Sequence, residues 1–567
     1  MGGHRRLTDG GLLRLSRGRP ANSAEGLGGR PRQATTAPAD GPGRRIAVIG
    51  GGLTGLTTAY RLAKQQPTST SITLYEASDR LGGWIRTDSA QVDVGGVRGH
   101  IRLERGPRTL SSLHTSTWRF DDLALYHLCN DLGLSLVSPP DGSRYILDAD
   151  QRLEALPTKA WEMMGSRLVR NCFGALPGYA LRRLLTRRGS VPSSDLDVSS
   201  WLRTVTMSRA VADLASALMH GVYGGDVDRL SARQVLGPMY WRYHLERPAR
   251  GHVVMPRSEL AFLRAWGADA RVREMAKRDK GALLHFGSAG LESLTGALER
   301  ALSEKQNVTI RKGCAVQGLS FDQESSQVMV KTSPSSTSSP PATYDKVIAT
   351  ILPHQLARIS STPLPSLDSL QSVSVMTVNL WYPRARLNPP GFGYLIPRNA
   401  PNPELALGVF FDSDVDVVGA DEATGTKLFV LLGGHHYDVV DAPSETRAVD
   451  QAKALVERHL GIARREACFV DARFAPHCIP QPLVGHEHRL ALASHHIGTA
   501  FAGTLAVVGG SYSRVGALAA IRSGYDMAHR LSSRHGWLDT GIEPGLDLDS
   551  FVDVAEADIR TVRNLGR

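Results

Sequence analysis

The sequence predicts an α/β protein of several domains, and three observations lead to that fold class. A buried strand, a glycine-rich turn and a helix follow one another from Arg45 to Leu62. The region from about 157 to 280 has helical periodicity, and strand-like runs follow between 347 and 432. Because 567 residues exceed what one hydrophobic core usually organises, two or three packed domains are expected.

Composition limits the class of protein. Hydrophobic residues make up 42% of the chain and charged residues 21%, which is typical of a globular protein. The formal charge of +11 favours anionic partners. No dense run of Lys and Arg is interleaved with aromatic residues, so the sequence predicts no nucleic-acid partner and favours anionic lipid or an anionic substrate.

The first 45 residues have the composition of a targeting segment. They carry nine arginines and no lysine, and they contain no continuous apolar stretch. This favours a mitochondrial presequence over a secretory signal, with a plain disordered tail as the alternative. No run of 18 apolar residues occurs in the chain, so membrane contact is expected to be superficial.

Cysteines and histidines give no evidence of a disulfide framework or a metal centre. The five cysteines are far apart and form no CxxC pair. Three histidine pairs lack accompanying ligands at metal-site spacing, so no metal is predicted. These pairs are His435 with His436, His486 with His488, and His495 with His496.

A dinucleotide-binding turn is the strongest local signal. It lies between the strand that ends near Gly50 and the following helix, and it comprises Gly50, Gly51, Gly52, Leu53, Thr54 and Gly55. Such glycines permit a tight turn, a close approach to a pyrophosphate and packing of the helix on the strand. Glu76 ends the second predicted strand, Ser71 to Tyr75, where a carboxylate can bind ribose hydroxyls.

The segment from Asp79 to Trp84 distinguishes between dinucleotides. An arginine followed by a glycine pair resembles the extended motif of FAD-dependent amine oxidases, which favours FAD over NAD. Near the C-terminus, Val507 to Ala517 repeats the strand, glycine turn and helix that resemble the second flavin contact of that superfamily.

Motifs spread over about residues 45 to 530 resemble one family of that superfamily, the oxygen-dependent protoporphyrinogen oxidases of mitochondrial eukaryotic type. The motifs stand in the expected order: GGGLTGL, DRLGGWIRT, ERGPRTL, GVYGGDVDRLS, GFGYLIP and CIPQPLVGH. The resemblance implies a discontinuous Rossmann-like FAD-binding domain, an α+β substrate domain and a mostly helical membrane-facing domain.

The resemblance also implies the segments that form each domain. These are 1–44 as presequence; 45–139, 256–355 and 491–535 as FAD-binding domain; 140–255 as helical membrane-binding domain; 356–490 as substrate-binding domain; and 536–567 as C-terminal tail.

Residues of the cofactor site are carried over by position. The implied set holds FAD non-covalently, with Val316 on the adenosine side and the last four residues over the isoalloxazine. It comprises Gly50 to Gly55, Glu76, Arg80, Trp84, Gly106, Pro107, Arg108, Thr109, Val316, Gly510, Val515, Gly516 and Ala517.

Residues of the substrate site are fewer. Arg144 corresponds to an arginine that pairs with a substrate propionate, with an ordinary surface cation as the alternative. Phe392, Leu395 and Leu431 would form apolar walls, and Gly221 and Gly224 would give the substrate room. Core packing is the alternative for all of these. No catalytic side chain is expected beyond the flavin.

The activity that the resemblance implies is the six-electron oxidation of protoporphyrinogen IX to protoporphyrin IX in haem synthesis. Hydride passes to FAD, and O2 reoxidises the flavin to give H2O2. Peripheral attachment to the intermembrane-space face of the mitochondrial inner membrane, contact with ferrochelatase and a homodimer are further expectations from the family.

Two other functions remain open at this point. An amine or polyamine oxidase would share every FAD motif. A non-catalytic FAD-binding partner protein is the second alternative, because Gly516 to Gly524 departs from the Asp-Cys-Ile-Glu-Ser-Gly run of many relatives.

Overall fold

The computed structural model describes residues 43–139, 142–157, 160–186, 189–278, 283–333, 341–416, 419, 421–533 and 535–564. The predicted presequence, apart from its last residues, lies outside the described residues. The Ser- and Pro-rich stretch 334–340 also lies outside them.

Strands are numbered in chain order. They are β1 (Arg45–Ile49), β2 (Ser71–Tyr75), β3 (Thr87–Val94), β4 (Val97–Glu104), β5 (Leu110–Ser111), β6 (Arg144–Leu147), β7 (Leu153–Ala155), β8 (His252–Pro256), β9 (Leu283–Leu284), β10 (Val308–Arg311), β11 (Val316–Asp322), β12 (Gln327–Thr332), β13 (Ala342–Tyr344), β14 (Lys346–Ala349), β15 (Ser372–Tyr382), β16 (Gly393–Leu395), β17 (Ala406–Phe410), β18 (Thr426–Gly433), β19 (Phe469–Pro480), β20 (Leu505–Val507) and β21 (Phe551–Ala555).

The α-helices are α1 (Leu53–Gln65), α2 (Asp121–Leu132), α3 (Ala160–Gly165), α4 (Arg167–Phe173), α5 (Ala175–Leu185), α6 (Val198–Thr206), α7 (Arg209–Tyr223), α8 (Ala232–Val235), α9 (Gly237–His244), α10 (Arg257–Trp266), α11 (Ala270–Arg278), α12 (Glu292–Ser303), α13 (Pro353–Ile359), α14 (Pro365–Asp368), α15 (Asp412–Val415), α16 (Glu445–Leu460), α17 (His486–Phe501), α18 (Ala517–Arg530) and α19 (Glu556–Ile559). A short 3-10 helix spans Gly434–Asp438.

A five-stranded parallel sheet confirms the predicted Rossmann-like unit. Its order is β10-β2-β1-β14-β20, and each neighbouring pair is parallel. The strands are apolar because both faces are covered, one by helices that include α1, α12 and α18, the other by elements that include α17 and the sheet β11-β12-β13. Distant stretches of chain supply the five strands, so the unit is discontinuous as the sequence predicts.

A seven-stranded sheet forms the second layer of the α/β fold. Its order is β19-β15-β18-β17-β16-β6-β7, and its pairs are antiparallel except β16 with β6. One face packs on α16 through Val378, Val430 and Leu432. The hairpin β6–β7 joins this sheet through β16, although it falls in the segment 140–255 that is expected to form the helical domain.

Helices α3 to α9 dominate the described residues between 160 and 244, as the sequence predicts. Trp201, Tyr240 and Trp241 form the centre of a separate apolar cluster there. No helix within the described ranges is both long and apolar enough to cross a membrane.

The C-terminal residues pack on the rest of the chain. Strand β21 pairs with β8, which the sequence analysis does not predict. Arg563 donates to Asp122 Oδ1 at 2.7 Å, and both side chains are fully buried. The segment predicted as a C-terminal tail is therefore part of the folded structure up to its last described residue, Asn564.

Candidate active site

The glycine turn before α1 has the geometry of an anion-binding site. A Cβ on Gly55 would lie 1.8 Å from the Gly50 carbonyl oxygen, so only glycine lets the helix start so close to the strand. A Cβ on Gly52 would meet only the Gly83 Cα, at 3.8 Å. Helix α1 begins without a side-chain cap, so the N–H groups of its first turn face open space beside Gly52.

Glu76 is fixed beside that turn. One carboxylate oxygen accepts the Gly51 N–H at 2.7 Å and the other accepts the Ser78 N–H at 2.8 Å. The Cys314 N–H donates to the Glu76 carbonyl at 2.9 Å, which brings the start of β11 to the same edge. Glu76 and Val316, the residues predicted for the adenosine side, therefore lie near one another at one end of the site.

Arg80 and Trp84 belong to a second turn that packs on the first. The Gly82 N–H donates to the Gly51 carbonyl at 2.8 Å. Arg80 donates to the carbonyl of Leu81 at 2.7 Å and to that of Gly83 at 2.5 Å, so it stabilises its own turn. Trp84 is 47% exposed.

The segment 106–109 connects this region to the seven-stranded sheet. A Cβ on Gly106 would lie 2.0 Å from the Trp84 carbonyl oxygen, so the segment lies directly against that turn. Pro107 is exposed and Thr109 is half-buried.

Arg108 makes that connection. Its Nε donates to Asp412 Oδ1 at 2.8 Å, and its terminal nitrogens donate to the carbonyls of Gly106 and Glu104 at 3.0 Å each. The guanidinium lies 3.0 Å from the centre of the Phe429 ring. Burial raises the pKa of Asp412, and the charge of Arg108 opposes that shift. In this arrangement Arg108 positions the turn.

Glu104 makes stability depend on pH. It accepts from Thr87 Oγ1 at 3.0 Å and from the Leu291 N–H at 3.1 Å, and burial raises its pKa from 4.5 to about 7. The protonated acid is favoured in the folded state. The stabilisation of the folded state by protonated Glu104 is therefore fully present below pH 4.5, and it is lost as the pH rises to about 7.

We expect Glu104→Gln to remove that contribution. Between pH 5 and 7, urea unfolding should show a smaller loss of unfolding free energy for the variant than for the parent. The two losses should differ by roughly 2–3 kcal/mol. Exposed Glu246→Gln is the matched control and should keep the parental slope. Parallel slopes for Glu104→Gln and the parent would contradict the burial effect.

The C-terminal turn faces the first one. A Cβ on Gly509 would lie 3.8 Å from Thr54 Oγ1. Gly516 has φ +118 and open space around its Cβ position, and α18 begins at Ala517 without a side-chain cap. A cavity of about 230 Å³ borders Gly509, Val515 and Tyr223. The N-termini of α1 and α18 thus lie at the carboxyl edge of the same parallel sheet.

The predicted substrate residues come together on the other face of the seven-stranded sheet. In the strand register, Arg144 pairs with Gly393, Leu395 with Gly408, and Gly408 with Leu431. Paired residues share a face of the sheet, and so do residues two apart along one strand. The side chains of Arg144, Leu395 and Leu431 therefore point to the same side. Leu395 and Leu431 are half-buried. We call this surface the apolar wall.

Phe392 lies at the edge of the apolar wall beside Arg144. The guanidinium of Arg144 is 5.8 Å from the centre of its ring. The Phe410 ring meets Phe392 edge-on, with ring centres 5.4 Å apart.

Gly221 and Gly224 lie beside the apolar wall, but other parts of the chain occupy the space of their missing side chains. A Cβ on Gly221 would lie 2.7 Å from Leu395 Cδ2. Gly224 ends α7 in the left-handed conformation, and a Cβ on Gly434 would lie 2.3 Å from its carbonyl oxygen. Both glycines let α7 pack closely on the sheet.

The end of β19 joins the two regions. Gly510 lies near Pro480, since a Cβ there would be 3.6 Å from Pro480 Cγ. A Cβ on Gly224 would be 3.6 Å from Ile479 Cδ1. The cofactor turns and the apolar wall are therefore neighbours.

The fold brings together one group of histidines that the sequence does not indicate. His220, His435 and His436 each place a ligating nitrogen within 4.8 Å of the others. A third imidazole therefore lies within reach of His435 and His436, where the sequence predicts no metal. A residue 215 positions away supplies the third imidazole, which spacing along the chain cannot show.

The residues fit a dinucleotide cofactor. Two uncapped helix N-termini suit the negative charge of a pyrophosphate, and a fixed carboxylate suits ribose hydroxyls. The open backbone at Gly52 and Gly516 leaves room for close approach.

Comparison with known proteins agrees with this assignment. The profile of the family described as flavin containing amine oxidoreductase matches residues 53–531. Protoporphyrinogen oxidase of Schizosaccharomyces pombe is 27% identical over 511 residues, which cover 86% of this chain and 98% of that protein. The human protoporphyrinogen oxidase is 29% identical over 515 residues, with the same coverage.

A solved structure from Exiguobacterium sp. 255-15, which carries the provisional name protoporphyrinogen oxidase, has the same fold. Its TM-score is 0.62 at 21% identity, and the match covers 86% of this chain and 98% of that one.

Proposed function

This chain belongs to the flavin-containing amine oxidoreductase family, and from that premise we propose that it oxidises protoporphyrinogen IX to protoporphyrin IX with bound FAD and O2. One observation supports this most strongly. The turns suited to the cofactor adjoin an apolar wall that carries a single predicted substrate cation, Arg144. An apolar tetrapyrrole with two propionates matches that combination.

FAD is the flavin proposed, held without a covalent bond. The Gly52 turn with the N-terminus of α1 suits a pyrophosphate, and Glu76 suits the adenosine ribose. An adenosine half distinguishes FAD from the shorter flavin FMN. Gly516 and the start of α18 would adjoin the ring end.

The side chains act by binding and by excluding water. When bound, the flavin would accept hydride from a bridging carbon of the substrate and pass electrons to O2, giving H2O2. The apolar wall would hold the macrocycle, and Arg144 would orient it through a propionate. No strong protein base is required, because the pyrrole nitrogen lone pairs stabilise the cation left in the substrate.

Substrate choice tests the proposal. Initial rates would be compared for protoporphyrinogen IX, for coproporphyrinogen III, which carries four propionates, and for spermine. We expect porphyrin fluorescence and H2O2 with protoporphyrinogen IX and the highest kcat/KM for it. Peroxide from spermine alone would favour an amine oxidase, and no turnover of any substrate would favour a non-catalytic protein.

Arg144 gives a specific prediction for binding. Arg144→Ala should raise the KM for protoporphyrinogen IX about tenfold, because a charge-assisted hydrogen bond to a propionate is lost. Its flavin content should not change. Arg152→Ala, on the exposed turn of the same hairpin, is the control. An unchanged KM would remove Arg144 from the substrate site.

The same protein is proposed to attach peripherally to the mitochondrial inner membrane. Support comes from the surface of α4 and α5. Phe173, Leu176, Leu184 and Leu185 are 47 to 84% exposed there, while Gly178 faces α6 so closely that a Cβ would lie 2.5 Å from the Thr206 carbonyl oxygen. Leu176 and Leu184 lie on the side of α5 away from Gly178, and Phe173 and Leu185 are exposed at the ends of α4 and α5, beside exposed arginines such as Arg182.

Binding to vesicles tests this attachment. The double variant Leu184→Gln/Leu185→Gln should bind vesicles of cardiolipin and phosphatidylcholine at least tenfold more weakly, because two inserted side chains are lost. Leu538→Gln alters a leucine that is 66% exposed elsewhere and is the control. Equal binding of both variants and the parent would contradict the proposed surface.

A further inference from the structure

Three histidines from distant parts of the chain meet beside the apolar wall. His220 lies in the last turn of α7, and His435 and His436 lie in the 3-10 helix after β18. The Nε2 atoms of His220 and His435 are 3.1 Å apart. Ring centres of His435 and His436 are 4.0 Å apart, and those of His220 and His436 are 5.7 Å apart.

Backbone geometry holds these histidines together. Gly433 and Gly434 have φ +94 and +62, so the chain turns sharply at the end of β18. The His435 N–H donates to the Gly224 carbonyl at 2.7 Å, which ties that turn to the end of α7. The three imidazoles therefore sit on two elements whose relative position is set by main-chain contacts.

His220 is oriented as a metal ligand. Its Nδ1 donates to the Ile396 carbonyl at 2.7 Å, which leaves Nε2 with a lone pair directed at His435. A hydrogen bond from one ring nitrogen to a carbonyl is the usual means of fixing the tautomer of a ligating histidine. His220 itself is 3% exposed.

Hydrogen bonding within the protein leaves one nitrogen of the cluster without a partner. Among the described residues, the buried Nε2 of His436 has no hydrogen-bond partner. His435 and His436 are half-buried, which leaves a path from solvent.

We propose that His220, His435 and His436 bind one divalent transition-metal ion. Ligand nitrogens around a tetrahedral Zn²⁺ at 2.0–2.1 Å lie about 3.3 Å apart. The separation between His220 and His435 already approaches that value. His436 would close the third side by a small side-chain movement.

The ion expected is Zn²⁺ or a metal of similar preference. Three neutral imidazoles suit zinc, cobalt, nickel and copper, and they do not suit magnesium or calcium, which prefer oxygen ligands. A fourth position would remain for water. Bound metal would link α7 to the 3-10 helix after β18, beside Leu395 and Leu431, and so stiffen the apolar wall.

Metal binding can be measured without turnover. Untagged, flavin-loaded protein would be stripped with a chelator and titrated with Zn²⁺ by calorimetry, and with Co²⁺ by visible absorption. We expect one ion per chain, a Co²⁺ spectrum with nitrogen ligands, and a higher melting temperature with Zn²⁺. Less than a tenth of an equivalent bound would overturn the proposal.

Variants locate the site. His435→Asn and His436→Asn should each weaken Zn²⁺ binding at least tenfold. His495→Asn alters an exposed member of another adjacent histidine pair and should bind as the parent does. Because both cluster variants change half-buried side chains, circular dichroism can confirm that they fold. Undiminished binding in both of them would place the metal elsewhere and overturn the assignment.

Discussion

Gly52→Glu is expected to yield a folded protein that purifies without flavin and has at least a hundredfold lower oxidase activity. A Cβ at this position meets only the Gly83 Cα at 3.8 Å, so the new side chain does not collide with the protein. It would instead fill the space in front of the α1 N-terminus and place a carboxylate where a pyrophosphate is proposed to bind. Like charges at such close range oppose binding strongly.

A second glycine provides the control. Gly296→Glu changes a residue within α12, where the new carboxylate would lie near Arg300, four residues on. Visible absorption at 450 nm, divided by protein concentration, reports flavin content. Full flavin content in Gly52→Glu would show that the cofactor does not approach this turn.

Arg563→Met should lower the free energy of unfolding by about 3–5 kcal/mol. Both Arg563 and Asp122 are fully buried, so the substitution leaves a carboxylate without its counter-charge. Arg563 also donates to the carbonyls of Ser116 at 3.0 Å and Arg119 at 2.9 Å, and these bonds attach the C-terminal residues to the start of α2. Burial already raises the pKa of Asp122.

An exposed ion pair is the matched comparison. Arg229 and Asp438 are 2.5 Å apart, but 41% and 35% of their side chains are exposed. Arg229→Met should therefore cost less than about 1 kcal/mol. Urea unfolding followed by tryptophan fluorescence measures both variants. Equal small losses would show that the C-terminal residues do not stabilise the fold.

Much of the parallel sheet could be predicted from the sequence. Strand β2 has the predicted bounds, and β1 ends one residue before the predicted Gly50. Buried parallel strands are continuous apolar runs, and the glycine turn is a local signal that requires no partner segment. Strands β15 to β18 correspond to the strand-like runs predicted between 347 and 432, because their residues alternate or run apolar.

Pairing between distant segments could not be predicted. Nothing local in Phe551–Ala555 indicates that β8 is its partner. The hairpin β6–β7 was recognised, yet its membership of the seven-stranded sheet depends on a parallel pairing with β16. Such pairings depend on the complementarity of two surfaces, which a single sequence does not display.

The sequence indicates which residues gather at the candidate site, and it says less about what each of them contacts. Glu76 lies where the motif placed it, and Arg144, Leu395 and Leu431 share one face. Arg80 is predicted to contact the cofactor, and in the structure its hydrogen bonds go to the carbonyls of its own turn, which the motif alone does not indicate. Motif position predicts where a residue lies, whereas its role depends on neighbours that folding brings from elsewhere.

Anaerobic mixing of the flavin-loaded protein with protoporphyrinogen IX tests the central claim most directly. The yellow absorbance should bleach within a single turnover, and admission of air should restore it together with porphyrin fluorescence and H2O2. Arg144→Ala should bleach at a lower rate at low substrate concentration and at the parental rate at saturation. A flavin that stays oxidised with protoporphyrinogen IX under these conditions would contradict the proposed function.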